Sequence, residues 1–107
     1  MLTDGKSLFA VEVESGQMHL DTNVGKYWFL ASQYQAYSAI CLIQIFTPLF
    51  SSYEWRMRLG RFYARQMKES GLPLEYVVLD ERRSDSVTGS FSRARQIIEE
   101  HAKVLFG

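Results

Sequence analysis

The sequence predicts an α+β domain in which an antiparallel sheet, made of an N-terminal three-strand meander and one later strand, is packed on one face by three helices. The order is β-β-β-α-α-β-α. Three observations predict it. Apolar and polar residues alternate through Leu8–Asn23, the period of a half-buried strand pair. Two later stretches, one after Ser51 and one after Ser90 or Ser92, carry apolar residues at helical spacing around the short β-rich segment Leu74–Asp80. Finally, Tyr27 to Tyr53 contains no charged side chain, so it must supply the interior that the rest of the chain covers.

The first element is a hairpin about Ser15-Gly16. A two-residue loop sets Glu14 opposite Gln17, Val13 opposite Met18, Glu12 opposite His19 and Val11 opposite Leu20, so apolar meets apolar and polar meets polar. This register points Phe9, Val11, Val13, Met18 and Leu20 at the core. Asn23-Val24-Gly25 reads as a turn into a third strand, Lys26–Leu30, rich in aromatics. Ser32-Gln33-Tyr34-Gln35 has the form of a capping box, and a helix from there to Phe46 stops before Pro48; Ile40–Phe46 fits a buried strand equally well.

Ser51-Ser52-Tyr53-Glu54 is a second capping box, and Gly71 with Pro73 stops the helix it begins. Trp55, Met57, Leu59, Phe62, Tyr63, Ala64 and Met67 spread over more than half of its circumference, which predicts burial on several sides. Leu74–Asp80 is an interior strand, residues 81–89 are a polar loop, and Ser90 or Ser92 caps a last helix. Phe91, Ala94, Ile98, His101, Ala102 and Leu105 form the apolar face of that helix, with Glu99 and Lys103 paired outside.

The 107 residues, 47% hydrophobic and 14% aromatic, suffice for one domain with a core of its own. Twelve basic and twelve acidic side chains cancel, so no global field recruits nucleic acid or an anionic membrane. A neutral, aromatic-rich domain has weak charge repulsion against self-association, and a homodimer is expected. The N-terminus shows no apolar signal region, the densest apolar part of the uncharged run falls short of the ~20 residues of a membrane span, and one cysteine makes no internal disulfide. The expected location is cytoplasmic, without a membrane association.

Two regions are candidates for function. In Asp80–Arg95, a strand end carrying acids is followed by hydroxyls around Gly89 and then by a helix N-terminus, a layout that offers backbone N–H groups to an anion. The residues for such a site are Arg82, Arg83, Thr88, Gly89, Ser90, Ser92 and Arg93. Arg93 and Arg95 oppose the helix dipole, which an anion between them and the helix end would relieve; Arg95 can instead pair with Glu99. The segment lacks the Gly-x-x-x-x-Gly-Lys-Ser/Thr pattern of nucleotide-binding loops. The second region is the stripe Arg58, Arg61, Arg65 and Lys68, suited to an acidic partner or a nucleic-acid backbone.

Arg56 lies off that stripe, where an internal acid would suit it. His19 pairs across the hairpin with Glu12, His101 is a core histidine, and Cys41 is a buried inert thiol. No catalytic set, metal site or cofactor follows from these spacings. The expected function is that of a non-enzymatic interaction module acting through a protein surface, with an anion- or nucleotide-binding protein or enzyme at 80–95 as the alternative. Nucleic-acid binding through the stripe comes third.

Overall fold

A computed structural model describes residues 2–14, 24–29, 37–48 and 54–107, the side chains of residues 54–56, 87 and 90 excepted. The α+β composition holds, with four strands and three helices among the described residues. In chain order they are β1 (Leu2–Thr3), β2 (Ser7–Glu14), α1 (helical over 24–29), β3 (Ala39–Phe46), α2 (Glu54–Glu69), β4 (Leu74–Asp80) and α3 (Val87–Phe106).

The sheet runs β1-β2-β3-β4 and is mixed, not antiparallel. Only β1 and β2 are antiparallel, joined by a turn in which Asp4 Oδ1 accepts from the backbone of Lys6 and Ser7 while Gly5 takes φ +87°. β2, β3 and β4 are parallel, with Leu8, Ile40 and Leu74 in line at one end and Glu14 beside Phe46 beside Asp80 at the other.

The expected helix over 33–46 is overturned at its C-terminal half, since Ala39–Phe46 is the sheet's central strand. The physical reason is burial on both faces. Ile40 to Phe46 are all buried, so the strand shows no alternation, and Ile40, Ile43 and Ile45 are β-branched. Complete burial of Leu42, Ile43 and Ile45 stabilises the fold by about 1.5–3 kcal/mol each before entropy is counted.

The meander is overturned as well, because residues 26–29, expected in a third strand, are helical. Val24, Tyr27 and Trp28 recur at i, i+3 and i+4 and place Val24 and Tyr27 in the core. The Ser15-Gly16 turn, the second hairpin arm, His19 and the two capping boxes at Ser32 and Ser51 lie outside the described residues, wholly or in part.

Helices cover both faces of the sheet, where one covered face was expected. Leu8, Ala10, Ile40, Leu42 and Leu74 pack with Val24 and Tyr27 of α1 and with Ala64 and Met67 of α2. Strand residues of the opposite parity, Phe9, Cys41, Ile43, Ile45, Val77 and Leu79, pack with Ala94, Ile98, Ala102 and Leu105 of α3. Successive strand residues point to opposite faces, so α1 and α2 lie on one side and α3 on the other.

The turn after α2 forms as its sequence predicts. Leu72 N donates to Met67 O at 3.2 Å and Gly71 N to Lys68 O at 3.0 Å, with Gly71 at φ +95°, a Schellman ending before Pro73. The buried side of α2 is narrower than expected. Met57, Gly60, Ala64 and Met67 are buried, whereas Phe62 is exposed and Leu59 and Tyr63 are half-buried.

The start of α3 is corrected from Ser90 or Ser92 to Ser86, whose side chain accepts from Gly89 N at 2.9 Å. Outside that helix Glu99 is held by Arg95 at 3.0 Å, the alternative pairing, not by Lys103. Among the described residues no helix is long and apolar enough to cross a membrane.

Candidate functional site at the C-terminal edge of the sheet

Parallel pairing brings the C-terminal ends of β2, β3 and β4 to one edge. Thr47 N donates to Glu14 O at 3.1 Å and Glu81 N to Phe46 O at 2.9 Å, so the three chain ends remain tied one residue past the strands. From this edge the chain leaves β3 for α2 on one face and leaves β4 for α3 on the other. Such a divergence between neighbouring parallel strands opens the crevice in which sheets of this kind hold ligands.

On the α1/α2 side of the crevice is a buried polar chain. Gln44, fully buried in β3, donates to Glu14 Oε1 at 3.0 Å and accepts from the Tyr76 hydroxyl on β4. Thr47 Oγ1 donates to Glu14 O at 3.2 Å. Two residues earlier on β2, Glu12 accepts from the Tyr27 hydroxyl and pairs with Lys26 Nζ of α1. Burial raises the proton affinity of both tyrosines, with Glu12 adding to the effect at Tyr27, so both remain protonated hydrogen-bond donors at neutral pH.

Gly60 of α2 stands over this chain. A Cβ there would lie 3.5 Å from the Tyr76 hydroxyl, 3.6 Å from Gln44 Oε1 and 3.6 Å from Val24 Cγ2. The absent side chain lets the helix backbone come close to the polar pair.

On the other side, the connection from β4 to α3 forms an open cleft of about 270 Å³ lined by Asp80, Glu81, Arg83, Ser84, Asp85 and Arg93. Arg82 grips Asp80 with two bonds, at 2.8 and 2.7 Å, and holds its carboxyl below the usual carboxylate range. Glu81 Oε2 accepts from Ser84 Oγ at 2.7 Å and from Arg93 Nε at 2.9 Å. The Ser84 hydroxyl first, and the Arg93 guanidinium with it, lower the proton affinity of Glu81. Arg93 also donates to Ser84.

Of the residues expected to bind an anion, Arg83 and Arg93 line the cleft, and Gly89 donates its N–H to the Ser86 cap. Arg82 faces Asp80, and Ser92 Oγ is turned to Thr88 O at 3.2 Å. The structure leaves the lone Arg83 guanidinium and the Asp85 carboxylate without an ion pair among the described residues of the lining. The second candidate set, Arg58, Arg61, Arg65 and Lys68, is exposed along the solvent side of α2 over about 15 Å. Arg61 is near enough to the edge to help hold the Asp80 carboxyl down.

Sequence reasoning missed Glu14, Gln44 and Tyr76. It set Glu14 on a solvent face and Val13 in the core, whereas Glu14 is buried and Val13 is 39% exposed. The available signal was Gln44, the one strongly polar residue within Ala39–Phe46. At the other end of the same strands, burial and then the charge of Glu75 push the Cys41 thiol up to about 11, so it is no nucleophile at neutral pH. The chain matches no protein-family model, no curated protein and no solved structure.

Proposed function

We propose that this chain is a non-enzymatic binding protein that takes a small, doubly charged polar ligand at the C-terminal edge of its parallel strands. The observation that carries this reading is the lining of the β4–α3 cleft. Asp80, Glu81 and Arg93 already have ionic partners, and among the described residues Arg83 and Asp85 are the charges left over in the lining. A ligand with one anionic and one cationic group, such as a free amino acid, satisfies both, and the α3 N-terminus favours the anionic group near Arg83. With Arg82 on Asp80 and Arg93 on Glu81, the charges of the cleft sum to zero, so a polyphosphate meets no net positive charge and nucleotides fit less well.

A binding role suits the cleft better than a hydrolytic one. Glu81 is the carboxylate placed to take a proton from Ser84, and its proton affinity is lowered, which makes it a weak general base. Thermal melts against free amino acids, inorganic phosphate, sulfate and nucleotides test the reading. A ligand that binds only the folded chain raises Tm, and amino acids are expected to do so more than the anions. A Tm unmoved by the whole panel contradicts the proposal.

A second reading, that of an interaction module or homodimer, is favoured by one observation. Leu2 is 62% exposed beside the buried Phe9 in the β1–β2 register, and Phe106, itself exposed, meets Phe9 edge-on at 6.2 Å, so exposed apolar side chains of β1 and of the end of α3 flank one buried ring. Light scattering over micromolar concentrations separates the two readings, since a chain that stays monomeric throughout leaves no dimer to explain that exposure.

A further inference from the structure

Cys41, Glu75 and His101 are 34 and 26 residues apart in sequence, and nothing in their spacing joins them. The parallel register of β3 and β4 makes Cys41 and Glu75 Cα partners on the sheet face that α3 covers. α3 then brings His101 over them, with Nδ1 at 3.4 Å from Glu75 Oε1. One ligand atom from each of the three residues lies within 4.8 Å of the other two.

We propose that Cys41, Glu75 and His101 form a binding site for a transition-metal dication, with Zn²⁺ the best fit. The donor set is one sulfur, one imidazole nitrogen and one carboxylate oxygen, each a regular zinc ligand, and Mg²⁺ or Ca²⁺ would not select a thiolate. The three ligands are graded from inside to outside. Cys41 is buried at the floor, the His101 side chain is 26% exposed and that of Glu75 59% exposed, so an ion enters from the Glu75 side and reaches the sulfur last.

Three protein ligands leave a fourth, solvent-facing position for water. Phe9, Ala102 and Leu105 belong to the same apolar cluster as Cys41 and keep bulk water from the sulfur. On binding, the ion takes the place of the Cys41 thiol proton, which passes to solvent, and no electron is transferred.

The site is separate from the C-terminal edge. Glu75 precedes Asp80 by five residues on β4, about 16 Å at the rise of an extended strand. Metal here and ligand there can therefore be lost independently.

The test is a titration of the reduced full chain with Co²⁺, read by absorbance, with Zn²⁺ as competitor and Tm as a second readout. The expected result is a stoichiometric thiolate-to-cobalt charge-transfer band that Zn²⁺ removes, and a Tm raised by Zn²⁺. Outer-shell partners of bound metals already contribute tenfold or more to affinity, so Glu75→Gln and His101→Ala are each expected to weaken binding by at least about tenfold. Cys41→Ala abolishes the band. Should Cys41→Ala fail to fold, the other two variants, at partly exposed side chains, still decide the matter. No band at a large excess of Co²⁺ overturns the proposal and leaves His101 and Glu75 as a simple side-chain contact. A band of undiminished affinity in both Glu75→Gln and His101→Ala overturns it too, because the thiol would then bind metal without them.

Discussion

Arg93 donates to Glu81 across 2.9 Å, and through that pair the end of β4 is joined to the first turns of α3. The pair predicts how the β4–α3 connection responds to acid. Glu81 has a lowered proton affinity, so its contribution to stability is complete above the ordinary carboxylate value and is lost as pH falls through the lowered one. Arg93 is more than half exposed, so the contribution at neutral pH is about 0.5–1 kcal/mol. Glu81→Gln should be less stable than the parent by that amount at pH 7, and urea titrations should find the gap closing in acid. A gap independent of pH contradicts the assignment.

Tyr76→Phe removes the hydroxyl that donates to Gln44 and leaves the acceptor Gln44 Oε1 short of a partner in the core. A buried acceptor left unsatisfied costs about 1–3 kcal/mol. Urea denaturation should find Tyr76→Phe less stable by that amount, and a change below 0.5 kcal/mol, about the size of a neutral surface substitution, would show that the chain does not hold the fold together.

At Gly60 the added Cβ of alanine finds ordinary contacts at 3.5 Å and beyond, and alanine favours helix over glycine by about 1 kcal/mol. Gly60→Ala should therefore raise stability by up to about that much. Gly60→Leu has no room between Tyr76, Gln44 and Val24 and should lower stability by about 1–3 kcal/mol through overpacking. Thermal melts of the two variants moving in the same direction would refute this packing.

The true start of α3 can be checked in the same way. Ser86→Ala removes the acceptor for Gly89 N and should cost about 1 kcal/mol. Ser92→Ala, at a residue the sequence also offered as a cap, loses only an exposed bond to Thr88 O and should stay within about 0.5 kcal/mol of the parent. Equal effects in chemical denaturation would mean that the helix begins elsewhere.

How much of this was legible in the sequence depended on whether the signal was local. The stop at Gly71 and Pro73 and the span of the strand Leu74–Asp80 are written in turn residues and composition, and the structure has them where they were read. The interior position expected for that strand is overturned, because β4 ends the strand order among the described residues and Tyr76 to Leu79 are only half-buried. On α3, Ala94, Ile98, Ala102 and Leu105 pack on the sheet as expected, whereas Phe91 is exposed. The stripe Arg58, Arg61, Arg65 and Lys68 is exposed for the same reason, the constant rotation of a helix. Ala39–Phe46 failed because a strand covered on both faces carries no alternation to distinguish it from a buried helix.

Once that strand was misread, the parallel pairing was lost with it. So were the second covered face, the burial of Glu14 beside Gln44, and the meeting of Cys41, Glu75 and His101, all of which follow from the order of strands. The cleft was half legible. Arg83, Gly89 and Arg93 were named from the loop composition, but the answering acids Asp80 and Glu81 became ion-pair partners only in three dimensions.

The central claim, a small-ligand site at the C-terminal edge, is tested most directly by backbone amide NMR during titration with a panel of free amino acids. The account predicts saturable shifts concentrated in residues 80–93, abolished by Arg83→Ala together with Asp85→Ala. Shifts absent for the whole panel, or centred instead on residues 58–68 of the basic stripe, would contradict it.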